Sequence, residues 1–161
     1  KEFLPRAVEN GKDMMARGQM LISANMAGSA FSNAQVGLVH ALAHSVGAIF
    51  GVHHGLANSI LLPTCLRYNA DACDDVYLNV LSALGMGTEG IQPDKAEEIV
   101  ADNITEFTKK LGLPQRLRDV GVPEAGLKEC SELALSDGAI VYNPKFISDS
   151  AEVLKVYQQA W

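Results

Sequence analysis

All four histidines of the 161-residue chain fall within fifteen positions, at His40, His44, His53 and His54. His40 and His44 are four apart, so on a helix both imidazoles project from one face, about a turn from each other. Imidazole is the commonest protein metal ligand and the usual proton shuttle near neutral pH, so the cluster points to metal binding, proton transfer or both. A bare His-x3-His pair also occurs where neither takes place, and the surroundings decide. Here they are apolar (Leu38, Val39, Leu42, Val46, Ile49, Phe50), which puts the rings on or beside a buried face. Polar rings buried without partners are costly, and a metal or a hydrogen-bond network is the usual compensation. Gly47, Gly51 and Gly55 suit a helix-turn-helix that returns His54 toward His40.

Other chemistries lack their residues. Ala41 stands where a metalloprotease of the HExxH kind needs its general-base glutamate. No GxGxxG dinucleotide fingerprint follows a strand, and no Walker-type phosphate loop occurs. Cys65, Cys73 and Cys130 are odd in number and widely spaced, as expected of reduced thiols in a cytoplasmic protein, with Cys65 read as packing. The net charge of −6 and the lack of a basic run argue against nucleic acid or an anionic membrane surface as partner. No secretory leader is visible, and no apolar run is long enough to span a bilayer. Arg116, Arg118 and Asp119 read as a solvated helix face.

The elements that must hold the histidines follow a helical period almost throughout. Gly11–Ala34 predicts a first helix whose small residues (Ala24, Ala27, Gly28, Ala30) pack closely on neighbours, with Met14, Met15, Met20 and Met26 as core filling. Helices are expected over about Val36–Phe50 and Gly55–Tyr68, with Pro63 kinking or breaking the latter. Asp71–Leu84 should follow, closed by Gly85 and Gly87. Pro93 opens a helix with Asp94, Glu97 and Glu98 in its first turns and Lys109 and Lys110 at its end. Short helices are expected about Gln115–Val120 and Glu124–Leu135, and Asp149 can cap a last helix with Glu152 in the reciprocal position. Ala139–Tyr142 is the one strand candidate, and Asn143-Pro144-Lys145 reads as a turn. The expectation is an all-α helical bundle, one domain over residues 1–161.

One stretch carries a resemblance. AGSAFSNAQVGLVHALAHSVGAIFGVHHGLANSILLPTCLRYN (27–69) closely resembles the iron-containing (group III) alcohol dehydrogenases, including their G-x2-H-x3-H-x2-G pattern and the downstream His-Gly. The likeness continues through LGLPQRLRDVGV (111–122), Asn143-Pro144 and the closing helix to Trp161, and so covers essentially the whole chain. It implies the C-terminal metal-binding helical domain of the dehydroquinate synthase-like fold, in a protein whose N-terminal α/β domain binds NAD or NADP. In that family one Asp and three His hold the metal, and His40 and His54 match two of the three. His44 matches a non-ligand histidine near the nicotinamide that helps proton traffic, and Phe31 an aromatic residue lining the substrate pocket. Ala139 would lie near that pocket. His53 stands where relatives often carry proline and is read as structural or solvated.

The resemblance further implies Fe(II) or Zn(II) acting as a Lewis acid on a short alcohol or aldehyde, with hydride exchanged with the nicotinamide. The remaining two ligands have no match here: before His40 the one aspartate is Asp13, and there is no histidine. The first residue is Lys1, so the natural start and the cofactor domain are expected to lie outside these residues, and this chain alone is expected to be inactive. A homo-oligomer is expected, because apolar surface would otherwise be bare. Two other readings are a non-catalytic helical interaction module, or an independent metalloprotein completing its site with Asp71, Asp74 or Asp75.

Overall fold

The computed structural model describes residues 1–73 and 76–161, so Asp74 and Asp75 lie outside the described residues. Every regular element among the described residues is helical, in two compact units, residues 1–35 and 36–161.

The first unit pairs α1 (Phe3–Glu9) with α2 (Met14–Ala34). Asp13 starts α2 by accepting from the Ala16 N–H at 2.9 Å, and the Arg6 guanidinium holds the same carboxylate at 2.9 Å. That satisfies one of the orphan donors of a helix start. Ala16 is the one buried residue of α2. Three of the four methionines expected in a core are not there: Met14, Met15 and Met26 are 75%, 62% and 66% exposed, as are Leu21 and Ile22 at 74% and 54%, while Met20 is half-buried. Two helices form a single layer, and one layer cannot cover a helix whose apolar residues are spread around it instead of gathered on one face.

The second unit is built around α3 (Leu38–Phe50), which packs on α4 (His54–Tyr68), on α7 (Leu127–Leu135) and on a 3₁₀ turn at Gly138–Tyr142. Leu38, Leu42 and Val46 recur at helical spacing and are fully buried with Leu61 of α4 and Leu127 of α7. Each such side chain contributes roughly 1.5–3 kcal/mol. The last helix, α8 (Ser150–Ala160), lies on α4 and α7 and buries Tyr157, whose hydroxyl donates to the Leu42 carbonyl at 2.8 Å. A smaller cluster joins α5 (Val76–Ala83) to α6 (Pro93–Lys110) through Tyr77, Leu81, Ala96 and Val100.

Four local expectations are corrected. The fourth helix α4 runs through Pro63 without a break, because only one intrahelical bond is lost while Ile60, Leu61, Thr64 and Cys65 around it are buried. Ala139–Tyr142 belongs to the 3₁₀ turn, not to a strand. Gln115–Val120 is helical only as a 3₁₀ turn at Leu117–Val120. Asp149 caps α8 through the Ala151 N–H at 2.8 Å, but Glu152 accepts from the Tyr68 hydroxyl at 2.7 Å instead of closing a capping box.

Candidate metal centre

The link between α3 and α4 is three residues long, and two glycines make it possible. Gly51 ends α3 in the left-handed region (φ +68°), where its N–H closes on the Gly47 carbonyl at 3.0 Å. Gly47 lies under the link, where a Cβ would stand 3.3 Å from the Val52 carbonyl oxygen. Gly55 meets no comparable constraint. The tight return makes His54 the first residue of α4 and sets it beside the first two turns of α3.

Three imidazoles consequently meet. The ring centroids are 5.3 Å apart for His40 and His54, 5.4 Å for His44 and His54, and 5.9 Å for His40 and His44. His53 is exposed, with its ring over Gly55. Phe31 lies in the first unit, half exposed on α2.

Each ring has a different electrostatic setting. His40 is half-buried, and desolvation, then the neighbouring His54 and His44, lower its affinity for a proton despite the opposing pull of Asp137. It therefore stays neutral, with a lone pair free to donate. On His54, Nε2 lies 3.1 Å from the Asn58 amide nitrogen, which also donates to the His54 carbonyl at 2.9 Å. The carbonyl can only accept, so the amide presents N–H to the ring and His54 Nε2 bears a lone pair. The same orientation leaves Asn58 Oδ1 buried and without a partner. His44 differs: its Nδ1 is 2.8 Å from Asp137 Oδ2.

The ring spacings can be compared with those of imidazoles that share an ion, and His44–His54 at 5.4 Å is as close as His40–His54. Two imidazoles bound to one ion at 2.0–2.1 Å in tetrahedral geometry have centroids about 5 Å apart, close to the 5.3 Å between His40 and His54. The set is short of donors, however: among the described residues no group of three or more His, Cys, Asp or Glu is placed to hold an ion. Asp71 is paired with the Lys145 ammonium at 2.9 Å.

The Asp137 segment is pinned to α3 from its far end. Asn143 and Asn69 exchange amide hydrogen bonds at 2.9 and 2.8 Å, and Asn143 Oδ1 also accepts from the Leu38 N–H at 3.3 Å, at the start of α3. Sequence reasoning found neither Asp137 nor this amide pair, since each acts across a large sequence separation. Asn58 carried a usable signal, being four residues after His54 on one helix. Ala139 is buried and donates its N–H to the capping Asp137 Oδ1 at 2.8 Å. Cys65 is fully buried and burial pushes its thiol far up, which fits packing and not nucleophilic attack. Arg118 and Asp119 are exposed as expected, though Arg118 also stacks on Trp161 at 5.5 Å.

Comparison with known proteins adds a family. Residues 1–161 match the model of the Fe-containing alcohol dehydrogenase family, C-terminal. The chain is 36% identical over 158 residues to 1,3-propanediol dehydrogenase of Citrobacter freundii, covering 98% of this chain and 41% of that protein. It is 34% identical over 149 residues to lactaldehyde reductase of Escherichia coli strain K12, covering 92% and 39%. A crystal structure of 1,3-propanediol oxidoreductase superposes with a TM-score of 0.92 at 35% identity, covering 97% of this chain and 41% of that one. The chain thus spans about two fifths of the length of the curated relatives it matches.

Proposed function

The chain belongs to the Fe-containing alcohol dehydrogenase family as its C-terminal domain, and on that premise we propose that it supplies half of a catalytic metal site for interconverting a short alcohol and its aldehyde. The observation that carries this reading is the approach of His40 and His54 from successive helices to 5.3 Å. Neutral imidazoles would hold Fe(II) or Zn(II) without cancelling its charge, the ion taking the place of the Asn58 amide hydrogen at His54 Nε2. An Asp and a third His from outside residues 1–161 would complete the set, and NAD or NADP would likewise be bound mainly by residues outside 1–161. When bound, the ion supplies Lewis-acid polarisation at the substrate oxygen. His44, whose side chain is 43% exposed, takes up the hydroxyl proton and passes it to solvent. The substrates for which those relatives are named, 1,3-propanediol and lactaldehyde, favour a small hydroxylated alcohol or aldehyde. The bare apolar surface of α2 favours self-association of the isolated chain. Among the described residues no helix is long and apolar enough to cross a membrane.

An anaerobic calorimetric titration of this chain with Fe(II) and with Zn(II), with His40→Ala as control, tests the half-site. Weak binding that the substitution abolishes supports it. Tight binding of one ion per chain means that the site is complete within these residues, and the reading fails. In the full-length dehydrogenase, His54→Ala should lose the metal, whereas His44→Ala should keep it and turn over slowly. Metal loss from the His44 variant by elemental analysis would contradict the two roles.

A further inference from the structure

We propose that Asp137 is a positioning residue that fixes the His44 ring as the tautomer with its proton on Nδ1 and its lone pair on Nε2. The geometry is a division of one carboxylate between two tasks. Oδ1 accepts from the Ala139 N–H at 2.8 Å and starts the 3₁₀ turn, while Oδ2 lies 2.8 Å from His44 Nδ1. An ionised carboxylate has no proton to give, so the ring nitrogen facing it must carry one. A neutral imidazole holds a single proton, which leaves Nε2 bare.

Capping alone does not need an aspartate. Serine and asparagine start helical turns as well. Asparagine, however, would cap with its oxygen and turn an N–H toward His44 Nδ1, reversing the tautomer. What aspartate adds at this position is a second acceptor, aimed at the one histidine of the cluster that is anchored from another element. His40 has desolvation and His54 has Asn58 to set its state; His44 has Asp137.

The catalytic consequence rests on the reading of His44 as the proton relay. A substrate hydroxyl proton would pass to Nε2, and the imidazolium so formed would be stabilised by the carboxylate on its other side. The partly exposed ring then returns that proton to water.

The tautomer can be read without metal or turnover. In the metal-free chain labelled with ¹⁵N-histidine, two-bond nitrogen–proton correlations separate protonated from bare ring nitrogens, at a pH where the imidazoles are neutral. His44 should show a protonated Nδ1 and a bare Nε2. Asp137→Asn should move the proton to Nε2, and Asp137→Ser, which keeps the cap, should shift the population the same way. The Ala139 backbone amide reports whether the cap survives. A wild-type His44 protonated at Nε2 overturns the assignment, and this spectrum decides even if a variant does not fold. Retention of the Nδ1 proton in both variants overturns it too. In the full-length dehydrogenase, Asp137→Asn should lower kcat on the order of 10²-fold, the lower end for general acid–base catalysis. A switched tautomer with unchanged kcat would leave the role of Asp137 intact and remove His44 from the proton path.

Discussion

Replacing Asn143 with Ala should destabilise the second unit by about 3 kcal/mol, each buried polar group left unpaired costing about 1–3 kcal/mol. Asn143 and Asn69 are each only 9% exposed, so water cannot take over their hydrogen bonds. The substitution strands four groups: both polar atoms of the Asn69 amide, the Leu38 N–H and the Lys145 carbonyl, which is only part-buried. The Leu38 contact is long at 3.3 Å and counts least. Asn69→Ala should cost less, because Asn143 keeps Leu38 and its bond to the Lys145 carbonyl at 2.8 Å. The double variant should resemble Asn143→Ala alone, giving a coupling of about 1–2 kcal/mol in a double-mutant cycle. The lone Trp161, bonded through Nε1 to the Val122 carbonyl at 2.8 Å, reports the transition by fluorescence in urea. For a chain of this size 3 kcal/mol corresponds to a Tm lower by about 6–12 °C. A loss below about 1 kcal/mol, or zero coupling, would refute the claim that the amide pair clamps this segment to α3.

Gly126→Ala should destabilise by about 1–3 kcal/mol through overpacking, since its Cβ would run into the Phe50 ring at Cζ; Phe50→Leu should restore much of the loss in urea melts, and no loss in the single variant would mean the ring moves freely. Tyr157→Phe should cost about 1 kcal/mol, the net worth of a typical hydrogen bond, because it deletes the bond to the Leu42 carbonyl; an unchanged urea midpoint would say that this bond contributes nothing. Desolvation pushes the Asp137 carboxyl up, but the Ala139 N–H and His44 outweigh it and hold the group below its ordinary 3.8. The unfolded chain therefore protonates first, so this stabilisation is complete above the ordinary value and is lost as pH falls through the folded one. Asp137→Ser should flatten the acid limb of a stability–pH curve there, and an identical limb would count against the shift. Finally, the exposed Met14, Met15, Leu21 and Met26 should make the isolated chain self-associate, whereas a single monomeric species by sedimentation at high concentration would contradict that.

The parts of the site that the sequence makes legible are local ones. His40 and His44 share a face because four residues is about one helical turn, and Gly51 can be read as a helix stop because its left-handed backbone favours glycine. Pro93 and the acids behind it mark the start of α6 for similarly short-range reasons. Burial is harder, since it belongs to neighbours and not to the residue. Met14 and Met26 are as apolar as any core side chain, yet their helix has only α1 to lie against in its unit. Four consecutive apolar residues at Ala139–Tyr142 do not distinguish a strand from a helical turn. There the Asp137 cap and the exposure of Val141 and Tyr142 decide for the turn.

The partners of Asp137 and Asn143 are not legible for a related reason: short polar residues before Gly138 and Pro144 look like turn formers, and they are. Their second function comes from partners 93 and 74 positions away. The two residues flank one 3₁₀ turn, so stability and tautomer should separate in a specific pattern. Asp137→Ser removes the acceptor for His44 but keeps the cap and the amide clamp, and should lose the tautomer at little cost in urea. Asn143→Ala removes the clamp and keeps the carboxylate, and should cost stability first. If the clamp also fixes where Asp137 sits, His44 in that variant should show both tautomers in exchange. A fully retained Nδ1 proton in Asn143→Ala would mean that the cap and the ring contact hold the turn unaided, confining the amide pair to a purely structural role.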